Sequence, residues 1–379
     1  MLRAWVIAIG VCAAGSARAD TPDQQALRVV NGYRAAVGLP AVTLDTKLSK
    51  GCMEHAEYMR LNKDSEAMVG LNAHKQRASL PGATPAGAEC AKAADLFPGV
   101  ANLELAVAGW MAGLYHRRPI LSPQLERIGV GYAALPDGSL MAALMFVDAK
   151  SEGKGWPVRY PADKQTGVPL EFGLEVPNPV PGGKGGGYPI TLQFPAFDKV
   201  TNVAAKLVDD AGKDVPFYLS DPEHPATSFG QYGVICVIPK QPLRAGARYQ
   251  VRIDATWKGK GGSYAWKFTT LALRAVDGTD EDAVMKAINV PSRVRGTVAY
   301  GGMMDKATAF LMIGRRDTKR YKMLSVLIPV ALWKQLGKGA APDAAFRGKT
   351  VEIEATPMFV QNTYVNLPIT VASQFRVVD

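Results

Sequence analysis

The hydrophobic period changes along this chain, and those changes limit the folds open to it. Within 23–37 the apolar residues Leu27, Val30, Tyr33 and Val37 recur at three- and four-residue steps, the spacing of one helix face. Segments 48–61 and 103–115 read as further helices. The period then drops to two. Segments 128–132 and 140–147 read as strands, joined by the turn Pro136-Asp137-Gly138-Ser139. Helices followed by a hairpin predict an α/β sandwich over 20–150. Residues 151–187 interrupt all periodicity: Pro157, Pro161, Pro169, Pro177, Pro179 and Pro181 run into Gly182-Gly183-Lys184-Gly185-Gly186-Gly187. Such density reads as a linker. Short alternating strands at 190–194, 249–253 and 264–269 predict a β-sandwich over 188–272. The acidic, helix-prone stretch 277–286 reads as a connector within 273–292. Over 293–379, strands are expected at 294–299, 309–313, 323–328, 350–355 and 375–378, with a helix at 330–336 between the third and fourth. That order suits an OB-like barrel. The expected architecture is therefore multidomain.

The first nineteen residues predict export. Arg3 precedes the apolar run 4–14, and Ala17-Arg18-Ala19 places small residues before Asp20. This is the order of a cleavable signal peptide, with an apolar run too short for a membrane span of ~20 residues. A periplasmic or secreted protein with no transmembrane segment after cleavage is expected. Lipid attachment would need Cys where Asp20 stands. Of the four cysteines, Cys12 lies in the apolar leader. Cys52 and Cys90 share a domain and are the natural disulfide pair for an oxidising compartment, whereas Cys236, inside the apolar run 234–238, is expected as a buried free thiol. The net charge of +10 is scattered, with Arg315-Arg316 and Lys319-Arg320 its densest cluster. Such a balance serves solubility or attraction to anionic surfaces.

Several sequence pieces occur in an order that carries further meaning. Val30-Asn31-Gly32-Tyr33-Arg34 is followed by Gly38-Leu39-Pro40, Leu44-Asp45-Thr46-Lys47-Leu48-Ser49 and His55-Ala56-Glu57-Tyr58-Met59. His74, Trp110-Met111, His116-Arg117 and Ile128-Gly129-Val130-Gly131 complete the series. Over about 24–148 this order resembles the CAP superfamily (SCP or PR-1-like), in particular its bacterial branch. The resemblance implies an α-β-α sandwich with a cleft lined by two histidines and two acids, which in some members holds a divalent metal. His74 and His116 match the histidines. Glu89 stands near the first acidic position, although Cys90 replaces the Asn that usually follows it. The second acid is usual three residues after the Trp in eukaryotic members, and here that position is Gly113. Glu104, on the helix of Trp110, is the remaining acidic candidate, and His55 and Trp110 are further candidates for the cleft.

The residues permit the same chemistry without the family. Neutral imidazole is a common zinc ligand, and two His with one carboxylate and an open position form a catalytic-zinc pattern. The same groups form a plain hydrogen-bonding site equally well. Zinc or another divalent metal at His74, His116 and Glu89 is thus one expectation, and a metal-free cleft the other. Ser122 and Ser79 are nucleophile candidates by sequence proximity alone; Gly-x-Ser-x-Gly and His-Glu-x-x-His are both absent.

The second unit resembles bacterial Ig-like modules through 187–192, 239–243 and 266–270. The third faintly resembles an OB fold through Arg295-Gly296-Thr297-Val298 and Phe346-Arg347-Gly348-Lys349. The leading expectation is an exported, non-enzymatic binding protein whose β-modules act as spacers or envelope-binding units. Its ligand class is open, with lipids and cell-envelope components as candidates. A metal-dependent hydrolase and a structural envelope protein with a vestigial cleft are the alternatives. Nucleic acid is not an expected partner for an exported chain.

Overall fold

The computed structural model describes residues 20–150, 153–173, 175–183, 185–361, 363–369 and 371–378. The expected signal peptide, 1–19, lies outside the described residues. Among the described residues no helix is long and apolar enough to cross a membrane.

The first unit runs α1 (Pro22–Ala36), β1 (Thr43–Leu44), α2 (Thr46–Leu61), α3 (Pro85–Ala93), β2 (Ala94–Val100), α4 (Leu103–Met111), the single turn α5 (Arg117–Ile120), β3 (Leu125–Ala134) and β4 (Leu140–Asp148). The helix starts are written in the sequence: Asp45 accepts from the Lys47 and Leu48 amides, and Asn102 from Leu105. Strand order is β1-β3-β4-β2. Alternation splits β3 between two layers. Ile128 and Val130 pack with Val30 of α1 and Val107 of α4, while Ala133 packs with Cys52 and Ala56 of α2. Gly129 and Gly131 share the α2 face. A Cβ on Gly131 would lie 2.1 Å from the Cys52 carbonyl carbon, so this strand admits α2 only because that side chain is missing. A disulfide joins Cys52 of α2 to Cys90 of α3. Closing a separation of 38 residues is worth about 4 kcal/mol on the chain-entropy estimate.

The second unit contains β5 (Val158–Tyr160), β6 (Ile190–Gln193), β7 (Val200–Asp209), β8 (Phe217–Ser220), β9 (Val234–Pro239), β10 (Arg248–Trp257) and β11 (Lys260–Thr269). They form two sheets, β5-β6-β9-β8 and β11-β10-β7. Ile190, Ile235, Val251 and Phe268 place both sheets on one core.

The linker expected at 151–187 is corrected here. Val158, Tyr160, Val168, Phe172 and Val180 are buried, and β5 pairs antiparallel with β6. The prolines punctuate a packed segment whose apolar side chains fill the junction between the first two units. Every residue of β9 is buried. Ile235 and Val237 face the sandwich core, while Val234, Cys236 and Ile238 pack on Leu114, Tyr115 and Phe172. A sheet covered on both faces explains the unbroken apolar run. Cys236 is free and buried, and burial pushes its thiol up to about 12.

The junction is also bolted by Arg117. Its guanidinium donates to the carbonyls of Met111 (2.7 Å) and Pro189 (2.6 Å) and sits between the Tyr160 and Tyr188 rings. One hydrophobic core consequently runs from Ala26 to Phe268.

The third unit has its own core. It comprises β12 (Arg274–Asp277), α6 (Glu281–Lys286), β13 (Ser292–Met303), β14 (Thr308–Ile313), β15 (Met323–Pro329), α7 (Val330–Leu336), α8 (Pro342–Phe346), β16 (Thr350–Ala355), β17 (Met358–Val360), β18 (Tyr364–Pro368) and β19 (Phe375–Val377). The expected connector belongs to this unit: β12 pairs with β13, and Val276 and Val284 are in its core. The sheet runs β17-β18-β15-β14-β13-β16-β19 and stays open, which corrects the closed barrel. Strand β18 bonds β15 on one edge and β17 on the other. Strand β16 is likewise filled by β13 and β19. No edge is left for these two strands to pair with each other.

Candidate functional site

A cavity of about 590 Å³ opens where the first unit meets the second, with His74, Asp95, His116 and Arg118 among its lining residues. Each reaches it from a different element. His74 ends a short 3-10 segment, Gly70–His74, and Asp95 is the second residue of β2. His116 and Arg118 come from the turn after α4 and from α5. The apolar and aromatic part of the lining is mixed in origin: Leu71 comes from the first unit, Val176 from the segment expected as a linker, and Phe229 and Tyr232 from the sandwich.

Both imidazoles are oriented through Nδ1. His74 Nδ1 donates to the Ala91 carbonyl at 3.0 Å. His116 Nδ1 donates to Glu175 Oε2 at 2.8 Å. The Glu175 carboxylate, 3% exposed, also accepts from the backbone amides of Leu114 (2.5 Å), Tyr115 (3.0 Å) and His116 (3.4 Å). Its space exists because residue 113 is glycine. A Cβ on Gly113 would stand 2.6 Å from Glu175 Oε2.

The charges of the cavity are strongly displaced. Burial raises the Asp95 carboxyl to about 7, against the opposing pull of His116 and Arg118. Among the described residues its Oδ2 has no hydrogen-bond partner. Burial works against a charged His116, but Asp95 and Glu175 outweigh it, so this ring titrates above the usual histidine value. His74 is lowered by burial, with neighbouring His116 adding to the effect. Asp148 is raised by burial, against Arg118 and a hydrogen bond from Ser122. Arg118 stacks on Tyr232 at 4.2 Å.

The sequence candidates are thus divided. His74 and His116 line the cavity together, but the expected acids do not join them. Glu89 is 70% exposed and paired with Lys92, because its position on α3 faces solvent while Cys90 and Ala91 face the core. Glu104 pairs with Arg28 on the surface. Trp110 packs in the core and donates to the Leu96 carbonyl. His55 is buried on α2, takes a hydrogen bond from Gln76 and stacks on Tyr58. Ser122 lines the cavity, and its hydroxyl is engaged with the Gln124 amide and with Asp148.

The acids lining the cavity are Asp95 and Asp148, and Glu175 meets it only through His116; the sequence reading missed all three. Asp95 carried a faint signal, a lone acid in the apolar run 93–97. Glu175, far along the chain in a proline-rich stretch, carried none. Among the described residues, no three His, Cys, Asp or Glu side chains gather in an arrangement able to hold a metal ion. Of the set His74, His116 and Glu89, only the two histidines line the cavity.

The basic cluster of the third unit is exposed and partly paired within the unit. Arg315 and the Lys319 amide bind Glu281, and Arg320 binds Asp282, holding α6 against the sheet.

Residues 27–147 match the family model CAP, the Cysteine-rich secretory protein family, which supports a CAP domain in the first unit. No curated protein matches the chain. Among solved structures, CopC from Methylosinus trichosporium OB3b is similar at 14% identity, over 30% of this chain and 89% of that chain, with a TM-score of 0.20.

Proposed function

We propose that this is an exported, non-enzymatic binding protein whose cavity takes a small amphiphile of the cell envelope. The observation that carries the reading is the composition of the cavity. At about 590 Å³ it has the size of a small-molecule site, and its lining joins charged and imidazole groups to the apolar side chains of Leu71, Val176 and Phe229. A polar head would meet Arg118, Asp95 and the Nε2 atoms of His74 and His116. An apolar tail would lie along Leu71, Val176 and Phe229. In this reading the sandwich is an Ig-like module that walls the cavity, and the third unit serves reach or envelope attachment.

The test is a fluorescence titration of the chain with dansyl-labelled undecanoic acid. Saturable binding is expected, weakened roughly tenfold to a hundredfold in Arg118→Met, the worth of a charged hydrogen bond. Two results would replace the reading. Turnover of ester or peptide libraries that vanishes in a folded His116→Ala variant would make the cleft hydrolytic. Saturable zinc binding lost in a folded His74→Ala/His116→Ala variant would make it a metal site.

A further inference from the structure

We infer that the cleft is completed from outside residues 27–147: Glu175 is a positioning residue that fixes His116 with Nδ1 engaged and Nε2 presented to the cavity. The sandwich unit is then a working part of the binding site and not a spacer. The inference rests on the reading of this cavity as the ligand site, but its geometry stands on its own.

Four N–H groups converge on one carboxylate: the amides of Leu114, Tyr115 and His116, and the His116 ring. A carboxylate is acceptor-only and can satisfy all four at once. The three amides belong to the turn that follows α4, so the same group holds the loop and the ring. The engaged nitrogen of an imidazole dictates which nitrogen remains for a ligand. Glu175 itself is held by what surrounds it. Phe172 is buried against Leu114 and Tyr115, and the Gly173 amide donates to the Ala112 carbonyl at 3.1 Å. A Cβ on Gly173 would come within 2.8 Å of the Ala112 side chain, so the segment lies directly on the end of α4. The other charged groups facing His116 are Asp95 and His74, and neither supplies a hydrogen bond to Nδ1.

Gly113 offers a test by relocation. Its missing side chain leaves the space the Glu175 carboxylate fills, so a carboxylate carried on position 113 would reach nearly the same place once Glu175 is shortened. The experiment reads the ring-nitrogen ¹⁵N shifts of His116 by NMR, at a pH where the ring is neutral. In the unaltered chain the Nδ1–H tautomer is expected. In Glu175→Ala the ring is expected to move toward the Nε2–H tautomer that free imidazole prefers. Gly113→Asp/Glu175→Ala is expected to return it to Nδ1–H, and Gly113→Asn/Glu175→Ala is not.

An Nε2–H ring in the unaltered chain would overturn the inference without any variant. So would an unchanged tautomer in Glu175→Ala. Recovery of thermal stability in Gly113→Asp/Glu175→Ala without recovery of the tautomer would reduce Glu175 to a loop cap. A fixed tautomer in a chain that fails to bind the dansyl probe would support the positioning role while removing the amphiphile reading.

Discussion

Asp95 and His116 face the same cavity and both hold a proton more tightly than in the unfolded chain, which sets the first expectation. Burial raises Asp95 from 3.8 to about 7. A folded-state carboxyl pKa above its unfolded value means that the unfolded chain releases this proton first as pH rises. The stability linked to Asp95 is intact below the unfolded pKa and falls as pH climbs from about 4 toward 7. Asp95→Asn keeps the shape and removes the charge. It should raise the melting temperature at pH 8, and the gain should disappear as pH falls from about 7 toward 4. A gain independent of pH would show that desolvation of Asp95 is not the cause. His116 runs the other way from a depressed acid: its raised value contributes stability that is present below the unfolded histidine pKa and lost as pH rises through the folded one.

At the scale of elements, the approach of α2 to β3 controls the first unit. Alternation along β3 was legible from Ile128-Gly129-Val130-Gly131, because one face of a strand repeats every second residue. The reason for glycine was not legible, since it lies in a helix eighty residues earlier in the chain. Gly131→Ala would drive a methyl group into the backbone of Cys52. The expected loss is about 3 kcal/mol in urea unfolding, with the midpoint lowered. A loss below about 0.5 kcal/mol, the surface-mutation range, would show that α2 shifts without cost. Strand β2 escaped the sequence reading for a related reason. Pro98 and Gly99 look like a break, yet β2 is an edge strand with a register shift at that point, where proline is tolerated. The acid it carries into the cavity escaped with it.

At the scale of the whole molecule, the first two units share a core and the third keeps its own. The shared core runs through the CAP-matched segment, the proline-rich stretch and the sandwich, and the other belongs to the third unit. Calorimetry should therefore resolve two unfolding transitions. Arg117→Ala would remove the donor to the Pro189 carbonyl and one of the two donors to the Met111 carbonyl, and empty the slot between Tyr160 and Tyr188. It should destabilise only the transition of the larger core, by roughly 2–4 kcal/mol. Three transitions, or a shift in both, would refute a shared core for the first two units.

The sequence by itself determined what periodicity and local chemistry encode. The helices near Leu27 and Cys52, the hairpin around Pro136-Asp137-Gly138-Ser139, the alternating strands of the sandwich and the helix at 330–336 all follow from neighbours a few residues apart. The order of motifs from Val30 to Gly131 pointed to the CAP resemblance and to His74 and His116. Tertiary structure alone decided which acids accompany those histidines. Glu89 and Glu104 sit on helix faces turned to water, while Asp95 enters the cavity from a strand the sequence reading did not assign and Glu175 holds His116 from a stretch read as a linker. The physical reason is that a buried carboxylate is placed by whatever backbone closes over it. Glu175 is held by amides about sixty residues away in the chain, a relation that no local spacing records.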